Sequence, residues 1–462
     1  MVIQPALAAP VCDTVSHARL ASRAVPLVPV PRLPLIPDPL RRVHVPRDLE
    51  PVTTIGPEDA PADGGLTAGG VDRIWDAATG LFRTGVYPAV ALTVRREGAV
   101  VVNRAVGWAR GGGPEDPPDA PKVLATPDTP FVIFSAAKAI TATLIHLLDE
   151  RGDFHIDDRV CEYIPEFAAN GKAAITIEHL LSHRAGIPNL PREALELENA
   201  GNGELIVDAI CRAKPRTRPG KLLAYHAVSG GYILGELVKR VRGKDIRQVL
   251  AEEILDPLGF RWTNYGVAPE DLDAVGTSHA TGLPPLPPAG TLLTRALGIP
   301  PDEITRAAND PRLLTTIIPA ANVVTTSNEL SRFFEMLRNG GELDGVAVMD
   351  SKTVRRAIVE RSYREIDLTL GAPVRHACGF ILGARAISLF GPDTEHAFGH
   401  LGFTNILTWA DPQRALSVAL ITTGKPVIHH GLADIWNLTY RIGRESRKLH
   451  RWRLGPTDSP AN

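Results

Sequence analysis

The chain has 462 residues, 44% hydrophobic and 22% charged, an ordinary globular composition with room for one large domain or two or three average ones. Its 50 basic residues nearly balance 52 acidic ones, and a formal charge of −2 leaves no electrostatic footprint for nucleic acid. No apolar run reaches the roughly 18–20 residues that a membrane-spanning helix needs.

The cysteines Cys12, Cys161, Cys211 and Cys378 are scattered, without CxxC spacing, and specify neither a disulfide framework nor a metal site. The start of the chain lacks a charged n-region and a proper apolar h-region, which argues against a signal peptide despite its Ala-Leu-Ala-Ala stretch. A cytoplasmic setting is the expectation, with cell-envelope association as the alternative.

In chain order, Pro26, Pro29, Pro31, Pro34, Pro37, Pro39 and Pro46 mark an extended N-terminal arm, because proline breaks helices and central strands. The apolar residues Leu27, Val28, Val30, Leu33, Leu35 and Ile36 favour an arm packed on the domain. Val71, Ile74, Trp75, Ala78, Leu81 and Phe82 then recur at helical spacing. Two β-rich runs, 89–95 and 99–106, flank Arg96-Glu97-Gly98 and read as a hairpin. A loop rich in Gly, Pro and Asp over 111–130 leads to a helix from about 135 to 151, stopped by Gly152. Residues 153 to about 315 read as mainly helical. Ser327 reads as the N-cap of a helix ending near Gly340-Gly341. Strand character returns at 379–382, 397–409 and 416–422, with Asp411-Pro412 turning the last two, and a helix over 431–444 closes the chain. Strands at both ends with helices between imply one sheet completed by N- and C-terminal segments. The expected layout is an extension over 1–65, a domain over 66–445 with a helical insertion at about 140–330, and a basic tail over 446–462.

Three places carry candidate chemistry. Ser135-Ala136-Ala137-Lys138 is an S-x-x-K at a helix start, where three residues are about one turn and both side chains share a face. A buried lysine there can take the serine proton, and the helix N-terminus offers free N–H groups to an oxyanion. Alone, the tetrapeptide reads rather as an N-cap serine beside a solvent-facing lysine, and it is the company it keeps that favours chemistry. Tyr225, on a loop before a helix, is a structural hydrogen-bonder or a proton shuttle. His400, within Phe398-Gly399-His400-Leu401-Gly402-Phe403, opens a strand whose glycines mark a close approach.

In this order and spacing the three resemble the serine β-lactamase and penicillin-recognising superfamily, and within it the class C-like, family VIII esterases. The likeness runs from about residue 66 to 440. It includes Ile175-Thr176-Ile177-Glu178-His179-Leu180-Leu181-Ser182-His183, Pro319-Ala320-Ala321-Asn322-Val323-Val324-Thr325-Thr326 and the Asn339-Gly340-Gly341 loop. The resemblance implies an α+β (α/β) fold, β-lactamase-like, with an antiparallel sheet flanked by helices and a large helical insertion. It implies catalysis by Ser135, Lys138 and Tyr225, with the Lys138 charge holding the Tyr225 pKa down. The N–H groups of Ser135 and Phe403 would form the oxyanion hole, and His400, Gly402 and Ala227 would bind substrate, His400 lining the acyl pocket.

Two positions depart from the family pattern. Tyr225-His226-Ala227 lacks the asparagine of Y-x-N, and His400 replaces the lysine of K-T-G. Both changes favour small uncharged esters over penicillins. The implied function is a carboxylesterase acting on short or medium acyl esters. The alternatives are transfer to an alcohol or amine, then β-lactamase or D-Ala-peptidase activity, then a non-catalytic scaffold. No G-x-S-x-G elbow is present. The implied partner is a small-molecule ester, with no cofactor and no nucleic acid, and nothing in the sequence specifies an oligomer. The basic tail (Arg441, Arg444, Arg447, Lys448, Arg451, Trp452, Arg453) reads as a solvated helix end rather than a membrane contact, and His179 and His183 read as structural rather than as a metal pair.

Overall fold

Alternation along 89–110 builds the centre of the fold. Strands β2 (Ala89–Arg96) and β3 (Ala99–Arg110) pair antiparallel across a two-residue turn. Glu97 and Gly98 both take left-handed φ, 53° and 89°, the geometry that matches the twist of the flanking strands. Val90, Leu92 and Val94 point into one apolar cluster, while Ala89 and Ala91 point into another on the opposite face.

The C-terminal part completes this sheet. Strand β13 (Leu416–Thr422) pairs antiparallel with β2, setting Val418 opposite Val94 and Leu420 opposite Leu92. Strands β12 (Ile406–Asp411), β11 (Phe398–Gly402) and β10 (Ile381–Leu382) follow outward. On the other edge β1 (Thr53–Ile55) pairs with β3, as does the short β4 (Val123–Leu124). A second sheet orders β5 (Phe131–Val132), β7 (Val323–Thr325) and β6 (Asn264–Tyr265), and β8 (Glu342–Leu343) with β9 (Val346–Ala347) forms a hairpin. The computed structural model describes residues 38–449, apart from 118, 192, 193, 195–198, 200, 285, 286, 288, 364 and 428–430. The earlier prolines of the arm and the end of the basic tail lie outside the described residues. From Pro39 onward the chain forms one compact unit.

Helices α1 (Ala68–Arg83) and α12 (Leu432–Glu445) cover the valine-rich face with Ile74, Leu81, Phe82 and Leu438. Helices α2 (Ala137–Glu150) and α10 (Ser327–Arg338) cover the alanine-rich face, where small side chains let them approach the sheet. Helix α2 is buried on every side from Ala137 to Leu148, as befits a central helix. The insertion adds α3 (Ile177–Leu181), α4 (Gly203–Arg212), α5 (Ser229–Arg242), α6 (Ile246–Leu250), α7 (Ala289–Leu297), α8 (Pro301–Ala307) and α9 (Pro311–Leu314). Helix α11 (Ser351–Ala357) follows it.

The structure differs from the sequence reading in three local ways. Strand β1 lies inside the proline-rich region, where no strand was expected; Leu49 and Val52 anchor it in the core. The run 397–409 is two strands, broken at Phe403-Thr404-Asn405 by Thr404 at φ 61°. The cap of α10 is Thr326, whose hydroxyl accepts from the Glu329 N–H, and Ser327 is already helical.

Gly379 ties β10 to the central helix. Its φ is +89°, its N–H donates to the Leu181 carbonyl at 2.9 Å, and a Cβ there would overlap Ala142 of α2. Gly379→Ala therefore combines left-handed strain with overpacking and should cost about 2–4 kcal/mol. Urea unfolding measures this, and an unchanged midpoint would contradict the packing described.

Candidate active site

Between β5 and α2 the chain makes a single 3₁₀ turn, Phe134–Ala136. Phe134 takes φ +49°, unusual for a bulky residue. Its ring is held against Phe403 with centroids 5.5 Å apart, and the Lys425 ammonium lies 5.0 Å from its centroid. The kink leaves Ser135 half-buried while Phe134 and Ala136 are buried. Ser135 is thus the accessible residue of the turn.

One helical turn on, Lys138 points back at it. Its Nζ lies 3.2 Å from Ser135 Oγ, 2.6 Å from the Ala227 carbonyl oxygen and 3.1 Å from that of Ala320. Burial, with no carboxylate in reach among the described residues, brings its pKa down to about 7. In the neutral form two N–H bonds serve the two carbonyls and the lone pair faces the serine hydroxyl. The solvent-facing lysine of the bland alternative is not what the fold makes.

Tyr225 is buried beside them, hydrogen-bonded to Ser135, with Lys138 Nζ 4.8 Å from its ring centroid. Its acidity runs opposite to the sequence expectation. Burial raises its pKa and the Asp367 charge adds to the rise, outweighing the Ser135 hydrogen bond. Burial disfavours the charged form of Lys138 as well, and the lysine does not offset the rise. At neutral pH Tyr225 is a phenol.

The other expected residues divide. Ala227 and Phe403 line an apolar cavity of about 520 Å³ together with Ser135. Gly402 ends β11 against the 3₁₀ turn, and a Cβ on it would stand 2.5 Å from the Ile133 carbonyl oxygen. That contact holds the end of β11 close to the residue that precedes the Phe134–Ala136 turn. His400 is not part of the cavity wall. It is 2% exposed, and its pKa falls to about 3 through burial and then the nearby Lys138. Its Nδ1 lies 2.8 Å from the Leu401 carbonyl, which can only accept, so Nδ1 carries the proton and Nε2 is bare. The cause is the strand pleat: His400 alternates with Leu401 and faces inward, toward Lys138 and His376.

Sequence reasoning missed the surroundings of Tyr225. His183 stands 4.7 Å from its ring, and His226 and His376 pack on His183 at 5.7 and 5.2 Å. His183 and His226 are both held neutral by burial, with neighbouring positive groups adding to the effect on His183. Asp367, fully buried, accepts from the backbone N–H groups of Tyr225, Thr369 and Leu370 at 3.0, 2.9 and 3.0 Å and faces His376 Nε2 at 3.4 Å. A lone Asp in a loop rich in turn residues gave no signal. His179 caps α3 through Thr176, as a structural residue does.

A family model described as Beta-lactamase matches residues 74–439, and the chain belongs to that family. The esterase/beta-lactamase LipL of Mycobacterium tuberculosis is 30% identical over 393 residues, covering 80% of this chain and 86% of LipL. A penicillin-binding protein homologue from Caulobacter crescentus superposes with TM-score 0.70 at 27% identity, covering 82% of this chain and 99% of that one. A family VIII carboxylesterase superposes with TM-score 0.68 at 27% identity, covering 82% and 98%. The fold is β-lactamase-like, and the chain is a serine hydrolase.

Asp367→Ala should strip three N–H donors of their acceptor, that of Tyr225 buried and the other two partly buried, and cost about 2–4 kcal/mol. Asp367→Asn keeps an acceptor oxygen and should recover most of that loss. Equal unfolding midpoints for wild type and the alanine variant would show that this carboxylate does not hold the Tyr225 segment.

Proposed function

We propose that the chain is a carboxylesterase that cleaves short and medium acyl esters through an acyl-enzyme on Ser135. The observation that carries this reading is a serine hydroxyl 3.2 Å from a lysine whose pKa is near 7, at the wall of an apolar cavity of about 520 Å³. That volume suits a small organic ligand. Val132, Val228, Leu313, Leu314 and Ile318 offer the cavity apolar contact for an acyl chain or alcohol group.

In this reading neutral Lys138 takes the Ser135 proton as the oxygen attacks the ester carbonyl. The N–H groups of Ser135 and Phe403 receive the oxyanion, a contribution of roughly 10²–10³ in kcat per donor in other serine hydrolases. Tyr225, a phenol, gives its proton to the departing alkoxide and regains one from the Lys138 ammonium. The alcohol leaves, the acyl group stays on Ser135, and water repeats the sequence in reverse to release the acid. Ala227 and neutral His400 offer no anchor for a β-lactam carboxylate, which supports an uncharged ester over a penicillin. The esterase names of LipL and the family VIII carboxylesterase support the same choice.

Ser135→Ala should abolish p-nitrophenyl ester hydrolysis, and equal activity in that variant would sink the reading. Lys138→Ala and Tyr225→Phe should each lower kcat by roughly 10²–10⁴ with little change in KM. Their double variant should be far less than multiplicatively worse, because the two groups move one proton.

The pH profile follows from the base. The active form holds Lys138 neutral, so kcat/KM should rise with pH up to about 7 and then level. Below that midpoint it should fall about tenfold per pH unit. An acid limb centred well below 6 would assign the proton to another group.

A further inference from the structure

We propose that residues 214–222, 361–363 and 365–370 form a docking surface for an anionic lipid bilayer. Leu222, Tyr363, Ile366, Leu368 and Leu370 are 44%, 69%, 60%, 58% and 41% exposed, a concentration of large apolar side chains that a water-facing surface avoids. They belong to one surface. The Leu368 N–H donates to the Leu223 carbonyl at 3.0 Å, joining the loops edge to edge. Arg184 ties both down: its guanidinium holds Glu365 at 2.7 Å and the Arg361 carbonyl at 2.8 Å, while its own carbonyl accepts from the Gly220 N–H at 2.9 Å.

Charge selects the occupant. Lys214, Arg216, Arg218 and Lys221 are exposed on the first loop, and none makes an ion pair among the described residues. The nearby acids are already used, since Glu365 pairs with Arg184, Glu360 with Arg375 at 2.7 Å, and Asp367 is buried. Among the described residues the outward face is therefore apolar and cationic, with no free carboxylate on these two loops. A second copy of the chain would bring like charges together. An anionic bilayer meets both demands, with headgroups for the cations and an acyl boundary for the leucines and Tyr363. Among the described residues no helix is long and apolar enough to cross a membrane, so the contact is peripheral. The surface borders the site: Arg216 donates to Asn189 at 3.1 Å, next to the cavity residue Leu190, and Leu223 precedes Tyr225 by two positions.

The test is co-sedimentation of the full chain with vesicles of phosphatidylcholine alone and of phosphatidylcholine mixed with phosphatidylglycerol. The chain should sediment with the mixed vesicles only, and added salt should weaken the binding. Arg216→Glu combined with Arg218→Glu should lower the partition coefficient at least about tenfold, at about 1 kcal/mol per charge near an anionic surface. Leu368→Ser combined with Leu370→Ser should lower it severalfold at unchanged charge. Folding is checked by thermal melting, so the result stands apart from the esterase reading. A wild type that stays in the supernatant, binds both vesicles equally, or binds as well after both sets of substitutions would overturn the proposal. So would salt-sensitive retention on an acidic protein without vesicle binding.

Discussion

The amine at the head of α2 has no carboxylate to pair with among the described residues. Lys138 is met by two backbone carbonyls, Ala227 and Ala320, and by the Ser135 hydroxyl. Carbonyl dipoles satisfy N–H bonds but do not replace the hydration of a full charge, so the neutral amine is the form the fold favours. The two carbonyls come from well-separated parts of the insertion, one just before α5 and the other just before β7. The proton acceptor therefore exists only once the insertion has closed on α2. This burial also opposes folding: between about pH 7 and the ordinary 10.5, the unfolded chain keeps a proton that the folded chain has released. The contribution of Lys138 to stability accordingly becomes less unfavourable as pH rises through that window.

The same poverty of charge governs its neighbours. Tyr225 sits beside the neutral imidazoles of His183 and His226 and near the buried Asp367, so a phenolate would meet a carboxylate, offset only by a lysine whose charged form burial disfavours. For Asp367 burial alone would raise its pKa, but the facing His376 ring and the hydrogen bonds from the N–H groups of Tyr225 and Leu370 reverse that, and it stays ionised. The acid and base are thus separated by environment. Desolvation of a cation makes Lys138 a base, and desolvation of an anion keeps Tyr225 an acid.

What could be read from sequence was what depends on near neighbours. S-x-x-K places two side chains on one helical face whatever surrounds them, and Glu97-Gly98 turns a hairpin by its own dihedrals. The sheet could be assembled from its ends because β2 and β13 are apolar on both faces. The break inside 397–409 was hidden because Thr404 adopts positive φ without a glycine to announce it. Strand β1 was hidden by the prolines around it. Asp367 and His376 gain meaning only from an approach across about 140 residues of chain, which no local pattern encodes. The direction of the Tyr225 pKa was missed for a related reason: it sums the burial of every group around it, and Lys138 was counted as a charge before its own burial was known.

The departures at 227 and 400 and the character of the cavity are one constraint seen twice. A site that recognises an anion keeps a cation or several donors near the reacting carbon, at a desolvation cost that the ligand's charge offsets. Here the methyl of Ala227 replaces an amide, His400 is neutral and turned inward, and the wall near Ser135 is built from Val132, Phe134, Val228 and Phe403. The charged residues of the cavity, Glu303, Arg306 and Asp310, sit on and just after α8. Such a wall discriminates by volume and shape, where one methylene is worth about 1–3 kcal/mol, rather than by pairing with charge. Selectivity among acyl chains then rests on the side chains of the insertion, while the proton chemistry rests on α2 and the segment before α5.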